Sequence, residues 1–210
     1  MAKAFMKALN MDIEGMLMSE VIRSFIAFDI ENTNVLENIM KMQKILAETG
    51  ADLKFVEPQN IHITLRFLGN ITSSMVDRIY ESMCKVQFAP FIVKIQGLGA
   101  FPSQRNPKVV WAGIKEGSIQ LRGIFEQLEL YLRSLGFAPD SKGFTPHLTI
   151  ARVRSGRNRT MLLKCLMENA NFDFGMVKAR CLRLKRSNLT PKGPVYTTLR
   201  EYCPEVMRML

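Results

Sequence analysis

The sequence predicts an α+β fold, bilobal, built from two similar halves. Three observations carry that reading. Strand-like and helix-like segments follow one another in an order that occurs twice along the chain. The only two histidines, His62 and His147, each open a His-x-Thr-aliphatic run, in "NIHITLRFLG" and "TPHLTIARVR". They lie 85 residues apart, and the same shift carries Phe25 onto Val110, Leu36 onto Leu121 and Ile39 onto Ile124. No solenoid has so long a period, so the pattern reads as an old duplication giving two α+β lobes.

The elements follow in order. "VIRSFIAFDI" (21–30) is β-branched and aromatic enough for a buried strand. Asn32 or Thr33 can cap the helix that follows, where Val35, Leu36, Ile39, Met40 and Leu46 recur at helical spacing before Gly50 stops it. The strand around His62 is expected to close at "GN" (69–70), and a helix over 73–86 puts Met75, Ile79, Met83 and Val86 on one face. "FIVKIQGLGAF" (91–101) reads as a strand and "PSQRNP" (102–107) as a loop, from its Pro, Ser and Asn content. The second round begins with the strand "VVWAGI" (109–114). A helix marked by Leu121, Ile124, Phe125, Leu128 and Leu132 ends at Gly136, and the His147 strand comes next. A helix over 159–168, strand material at 174–187 and a last strand at 195–202 complete the series. The lobes are expected to coincide with the sequence halves, about 22–101 and 108–202, in one domain over 18–210.

Composition narrows the function classes. At 47% hydrophobic and 23% charged residues, the 210-residue chain is an ordinary globular protein, not a disordered one. A net charge of +10 favours an anionic partner, which positive potential concentrates and steers. The four cysteines (84, 165, 181 and 203) are widely spaced and form no C-x-x-C pair, which predicts reduced thiols and a cytoplasmic protein. No apolar run reaches the roughly 18–20 residues that span a bilayer, so no membrane association is expected. Asp12 and Glu14 interrupt what a signal peptide keeps apolar. Residues 1–17 read as a loosely attached extension ahead of Met18, or else as a short amphipathic helix.

The paired motif suggests the chemistry. Strand side chains alternate faces, so Thr64 stands beside His62 and Thr149 beside His147. The aliphatic neighbours Ile63, Leu65, Leu148 and Ile150 point the other way and can be buried. Two lobes related by a pseudo-twofold would bring two imidazole–hydroxyl pairs around one cleft. In-line displacement at a phosphodiester needs a base near the attacking oxygen and an acid near the leaving one. Imidazole, with an ordinary pKa of about 6.5, serves as either. The threonine hydroxyls can donate to the non-bridging oxygens. Two histidines without a carboxylate cluster or cysteine at ligand spacing make a poor metal site, so neither metal nor cofactor is expected. The near-symmetric motifs leave open which histidine gives the proton and which takes it.

These residues resemble a known family. "RSFIAFD", "DLKFVEPQNIHITLRFLG", "AFPSQRNPKVVWAG", "LGFAPDSKGFTPHLTIARVR" and "GPVYTTL" are similar to the RNA 2′,3′-cyclic phosphodiesterases, or 2′-5′ RNA ligases, of the two-histidine (2H) phosphoesterase superfamily. The likeness runs from about residue 23 to 202. It implies antiparallel sheets with outer helices around a central cleft. The implied reaction is hydrolysis of a terminal 2′,3′-cyclic phosphate to a 2′-phosphate and a free 3′-hydroxyl. By that resemblance His62 is the proton donor, His147 the acceptor that activates water, and Thr64 and Thr149 hold the phosphate.

The resemblance also marks Arg152 as a candidate substrate contact. Strand alternation points it away from the cleft unless a bulge or strand end turns it back. Phe144 is a second candidate, as a base-stacking ring or as part of the core. Phe55 stands where relatives are expected to carry tryptophan, and the basic run at 178–192 either tracks an RNA backbone or forms a solvated strand face. The implied partner is RNA or an oligonucleotide with a 2′,3′-cyclic phosphate end, with nucleotides as further ligands, acting on a monomer. Two rival readings are the reverse ligation forming 2′-5′ linkages, and a nucleotide- or RNA-binding module without turnover.

Overall fold

Alternation and helical periodicity place most elements where the sequence predicts them. The computed structural model describes residues 20–141, 143–191 and 193–204. The expected extension over residues 1–17, and Met18, lie outside these. In chain order the elements are β1 (Val21–Asp29), α1 (Thr33–Glu48), β2 (Leu53–Phe55), β3 (His62–Thr72), α2 (Ser73–Cys84) and β4 (Phe91–Ser103). Then come β5 (Asn106–Glu116), α3 (Ser118–Ser134), β6 (His147–Val153), α4 (Arg159–Glu168), β7 (Asp173–Ala179), β8 (Leu182–Thr190) and β9 (Gly193–Tyr202). Asn32 caps α1 by accepting from the Val35 amide, satisfying one of the free N–H groups of the first turn.

Among the described residues the strands form one nine-stranded antiparallel sheet in the order β7-β4-β5-β6-β3-β1-β8-β9, with β2 paired to β6. The two histidine strands are neighbours at its centre, joined where Ile63 pairs with Leu148. The buried faces of the four described α-helices join Ile63, Leu65, Leu148 and Ile150 in one continuous core. The opposite faces of β3 and β6 stay open and carry His62, Thr64, His147 and Thr149.

Several expectations need correction. "PSQRNP" is no loop: Pro102 pairs with Pro107 and Ser103 with Asn106, leaving Gln104 and Arg105 as a two-residue turn. A turn that short forces β4 and β5 into one antiparallel hairpin, whichever half each comes from. The lobes are therefore not the sequence halves. β4 lies in the half-sheet of β5 and β6, while β8 and β9 extend the half-sheet of β1 and β3. The strand after His62 continues through Gly69 and Asn70, which pair with Ser24 and Arg23, to Thr72. Residues 53–55, too short to show alternation, form the unforeseen β2.

The cysteine reading also changes. Cys181 and Cys203 form a disulfide, while Cys84 and Cys165 are free. Twenty-two residues separate the pair in sequence, yet β8 and β9 run antiparallel with Leu182 opposite Tyr202, which brings the flanking cysteines together. No described helix is long and apolar enough to cross a membrane.

Candidate active site

The bare face of β3 and β6 floors a cleft of about 760 Å³, lined by both histidines and both threonines of the repeated motif. Its walls include β2, the segment 56–60 and the tip of the β8–β9 hairpin. Each imidazole is held in the same way. His62 Nδ1 lies 2.7 Å from the carbonyl of Asn60, and His147 Nδ1 lies 2.7 Å from that of Thr145. A carbonyl only accepts, so each Nδ1 carries the hydrogen and each neutral ring keeps its Nε2 lone pair free. Neither threonine hydroxyl has a partner among the described residues, so both are available to a ligand.

Aromatic rings fix the imidazole planes. Phe25 lies 4.8 Å and Tyr196 5.3 Å from the His62 ring centre. Phe101 stands edge-on to His147 at 4.9 Å, with Trp111 at 6.5 Å. Trp111 lies over Gly99 on the next strand, where a Cβ would come within 2.3 Å of the indole, so only glycine fits.

Burial also sets the electrostatics. Desolvation lowers the His62 pKa to about 4, with Lys185 adding to the effect while the Asn60 carbonyl and Asp29 oppose it. Desolvation likewise lowers that of His147, against its bond to Thr145. Both rings are thus neutral near pH 7 in the free protein. Lys185 reaches both carboxylate oxygens of Asp29 at 2.6 Å, and Arg183 bonds Asp29, Glu31 and Glu201.

Two matching bulges complete the floor. The β1–β3 register steps from Ile26–Arg66 to Ala27–Thr64, leaving Leu65 unpaired. The β5–β6 register steps from Val110–Ala151 to Trp111–Thr149, leaving Ile150 unpaired. Leu65 and Ile150 are themselves 85 residues apart. Each bulge resets the alternation, so the fifth residue after each histidine turns back to the cleft. These residues are Phe67, 59% exposed, and Arg152. Arg152 therefore lines the cleft, through the irregularity that simple alternation omits. Behind the first bulge, buried Arg66 bonds Glu129 and the carbonyls of Phe67 and Ala138.

Other sequence expectations fare differently. Phe144 is not brought to the cleft: it stacks on Phe125 at 4.9 Å, and its carbonyl accepts from Arg122. Phe55 does line the cleft. In the 178–192 run, Arg183, Lys185 and Arg186 are engaged by Glu201, Asp29, Glu31 and Glu20, which reduces their value to an RNA backbone. Sequence reading missed Lys54, Asn60 and Tyr196 as cleft residues. A signal existed for Asn60, since it and Thr145 stand two residues before the two histidines.

The chain matches the family profile described as LigT like Phosphoesterase over residues 30–111 and 114–196. It is 40% identical over 163 residues to an RNA 2′,3′-cyclic phosphodiesterase of Aeropyrum pernix, covering 78% of this chain and 93% of that protein. Against the protein of the same name from Archaeoglobus fulgidus, identity is 38% over 181 residues, or 86% and 99% of the two chains. Among solved structures it is similar to TT0787 of Thermus thermophilus, with a TM-score of 0.70, 27% identity and coverage of 87% and 97%. E. coli LigT complexed with 3′-AMP shares the fold, with a TM-score of 0.71, 20% identity and coverage of 88% and 98%.

Proposed function

The chain belongs to the LigT-like phosphoesterases, and from that premise we propose that it is an RNA 2′,3′-cyclic phosphodiesterase acting by two-histidine acid–base catalysis. The observation that carries the mechanism is the pair of Nδ1-anchored imidazoles, His62 and His147, offering their free Nε2 atoms to one cleft beside two unengaged threonine hydroxyls. His147 takes a proton from water, and the water oxygen bonds to phosphorus. The bond from phosphorus to O3′ breaks, and His62 gives its proton to that oxygen. A 2′-phosphate and a 3′-hydroxyl remain. Thr64 and Thr149 donate to the non-bridging oxygens, where negative charge grows.

The donor ring must first be charged. Burial keeps His62 neutral in the free protein, so the phosphate anion has to raise its pKa on binding. Arg152 adds a cation on the cleft wall for the same phosphate or the one before it. The substrate is RNA or an oligonucleotide with a cyclic end, and nucleotides fit the same cleft. Abundant water makes hydrolysis, not ligation, the dominant direction. One chain supplies both histidines, which supports a monomer, and an RNA substrate supports action in the cytoplasm.

The test is an oligoribonucleotide ending in a 2′,3′-cyclic phosphate, incubated with the protein and a chelator. The parent opens the ring to the 2′-phosphate. His62→Ala and His147→Ala each lose about a thousandfold in rate. Turnover that survives both substitutions refutes the mechanism.

A further inference from the structure

The two histidines share one kind of anchor, but the anchors are supported differently. Asn60, whose carbonyl holds His62 Nδ1, is 9% exposed, and its side-chain amide donates to the carbonyl of Pro194 at 2.9 Å. Pro194 sits at the tip of the β8–β9 hairpin, opposite Leu189, and β9 is an edge strand with β8 as its one strand neighbour. Leu189, Thr190, Gly193, Val195 and Tyr196 of that tip line the cleft. Thr145, which anchors His147, lies in the segment before β6, and no side-chain hydrogen bond ties it to another wall of the cleft among the described residues.

We propose that Asn60 is a positioning residue that couples the β8–β9 hairpin to His62. The coupling takes its catalytic meaning from the phosphodiesterase reading, while its geometry stands without it. Beyond its own ladder, the tip of this edge hairpin is held by Tyr196, packed on Phe25 and His62, and by the side-chain hydrogen bond from Asn60 to Pro194. The Asn60 amide fastens that tip to the residue that fixes the His62 tautomer. A substrate pressing on Val195 and Tyr196 settles the hairpin, and the settled hairpin steadies the Asn60 backbone. His62 then keeps Nδ1 protonated and Nε2 aimed at the phosphate. The coupling acts on one imidazole of the two, so His147 serves as its built-in control.

The experiment compares the full chain with Asn60→Ala and Asn60→Ser. Two histidines give two imidazole spectra, so nitrogen NMR reads each tautomer separately. In the parent both rings are held with hydrogen on Nδ1. In both variants His62 is expected to become a tautomer mixture while His147 is unchanged. With a 2′,3′-cyclic nucleotide, kcat is expected to fall about tenfold while KM stays within about twofold. An unchanged His62 spectrum overturns the proposal. Loss of the native His147 spectrum in both variants overturns it too, since Asn60 would then be a structural residue. A parent with normal spectra but no turnover would refute the phosphodiesterase reading while the tautomer comparison still decides this one.

Discussion

Ile63 of β3 lies directly across from Leu148 of β6, and both are fully buried. The pairing puts their sequence neighbours, His62 with Thr64 and His147 with Thr149, on the other face of the sheet around one cleft. Truncating either residue should therefore affect stability and catalysis together. Ile63→Ala is expected to cost about 3 kcal/mol in denaturant unfolding. It should also lower kcat more than a substitution of equal cost far from the centre, such as Leu166→Ala.

The desolvated, neutral His62 makes stability pH-dependent. Its pKa is about 4 in the folded chain against an ordinary 6.5, so below pH 6.5 the unfolded state binds more protons. Stability is full above pH 6.5 and falls as the pH drops toward 4, by on the order of 3 kcal/mol. Urea titrations across that range should show the loss in the parent, and less of it in His62→Gln.

Arg152 and Phe144 should separate cleanly in an assay. Arg152 lines the cleft and makes no ion pair among the described residues, so Arg152→Ala should raise KM for a cyclic-ended oligonucleotide about tenfold with little change in stability. Phe144 stacks on Phe125 away from the cleft, so Phe144→Ala should lower stability by about 2 kcal/mol and leave KM unchanged. A shift in KM for Phe144→Ala would place that ring against substrate after all.

The Cys181–Cys203 bond closes a segment of 22 residues, the β8–β9 hairpin. Cys203→Ser is expected to lower unfolding free energy by roughly 3 kcal/mol, as would reduction of the parent. The active-site end of the hairpin is also held by Asn60, so turnover at moderate temperature should persist. Equal stability of oxidised and reduced protein would argue against the bond.

How far the sequence reaches depends on the range of the interaction that decides each feature. The His-x-Thr pairs were legible because strand alternation is local, and α1, α2 and α3 because their apolar spacing is. The turn of Arg152 toward the cleft was not, since Ile150 is left over by a register step between β5 and β6 that no single segment encodes. Phe144 was ambiguous for a similar reason: only packing on Phe125, on a different element, tells core from cleft. The Cys181–Cys203 pairing needed the antiparallel ladder of β8 and β9 before sequence spacing had any meaning. The halves misled most, because a two-residue turn at Gln104 and Arg105 pairs β4 with β5 of the other half.

That crossing of strands has a practical side. A protein cleaved between Gln104 and Arg105 would yield two fragments that each lack what the other holds: the first keeps β4 but not its partner strands, and the second keeps β8 and β9 without β1. Neither fragment could close a sheet alone, yet mixed together they would complement one another. The two sequence halves are thus no longer separable units, because each builds its part of the sheet with strands from the other.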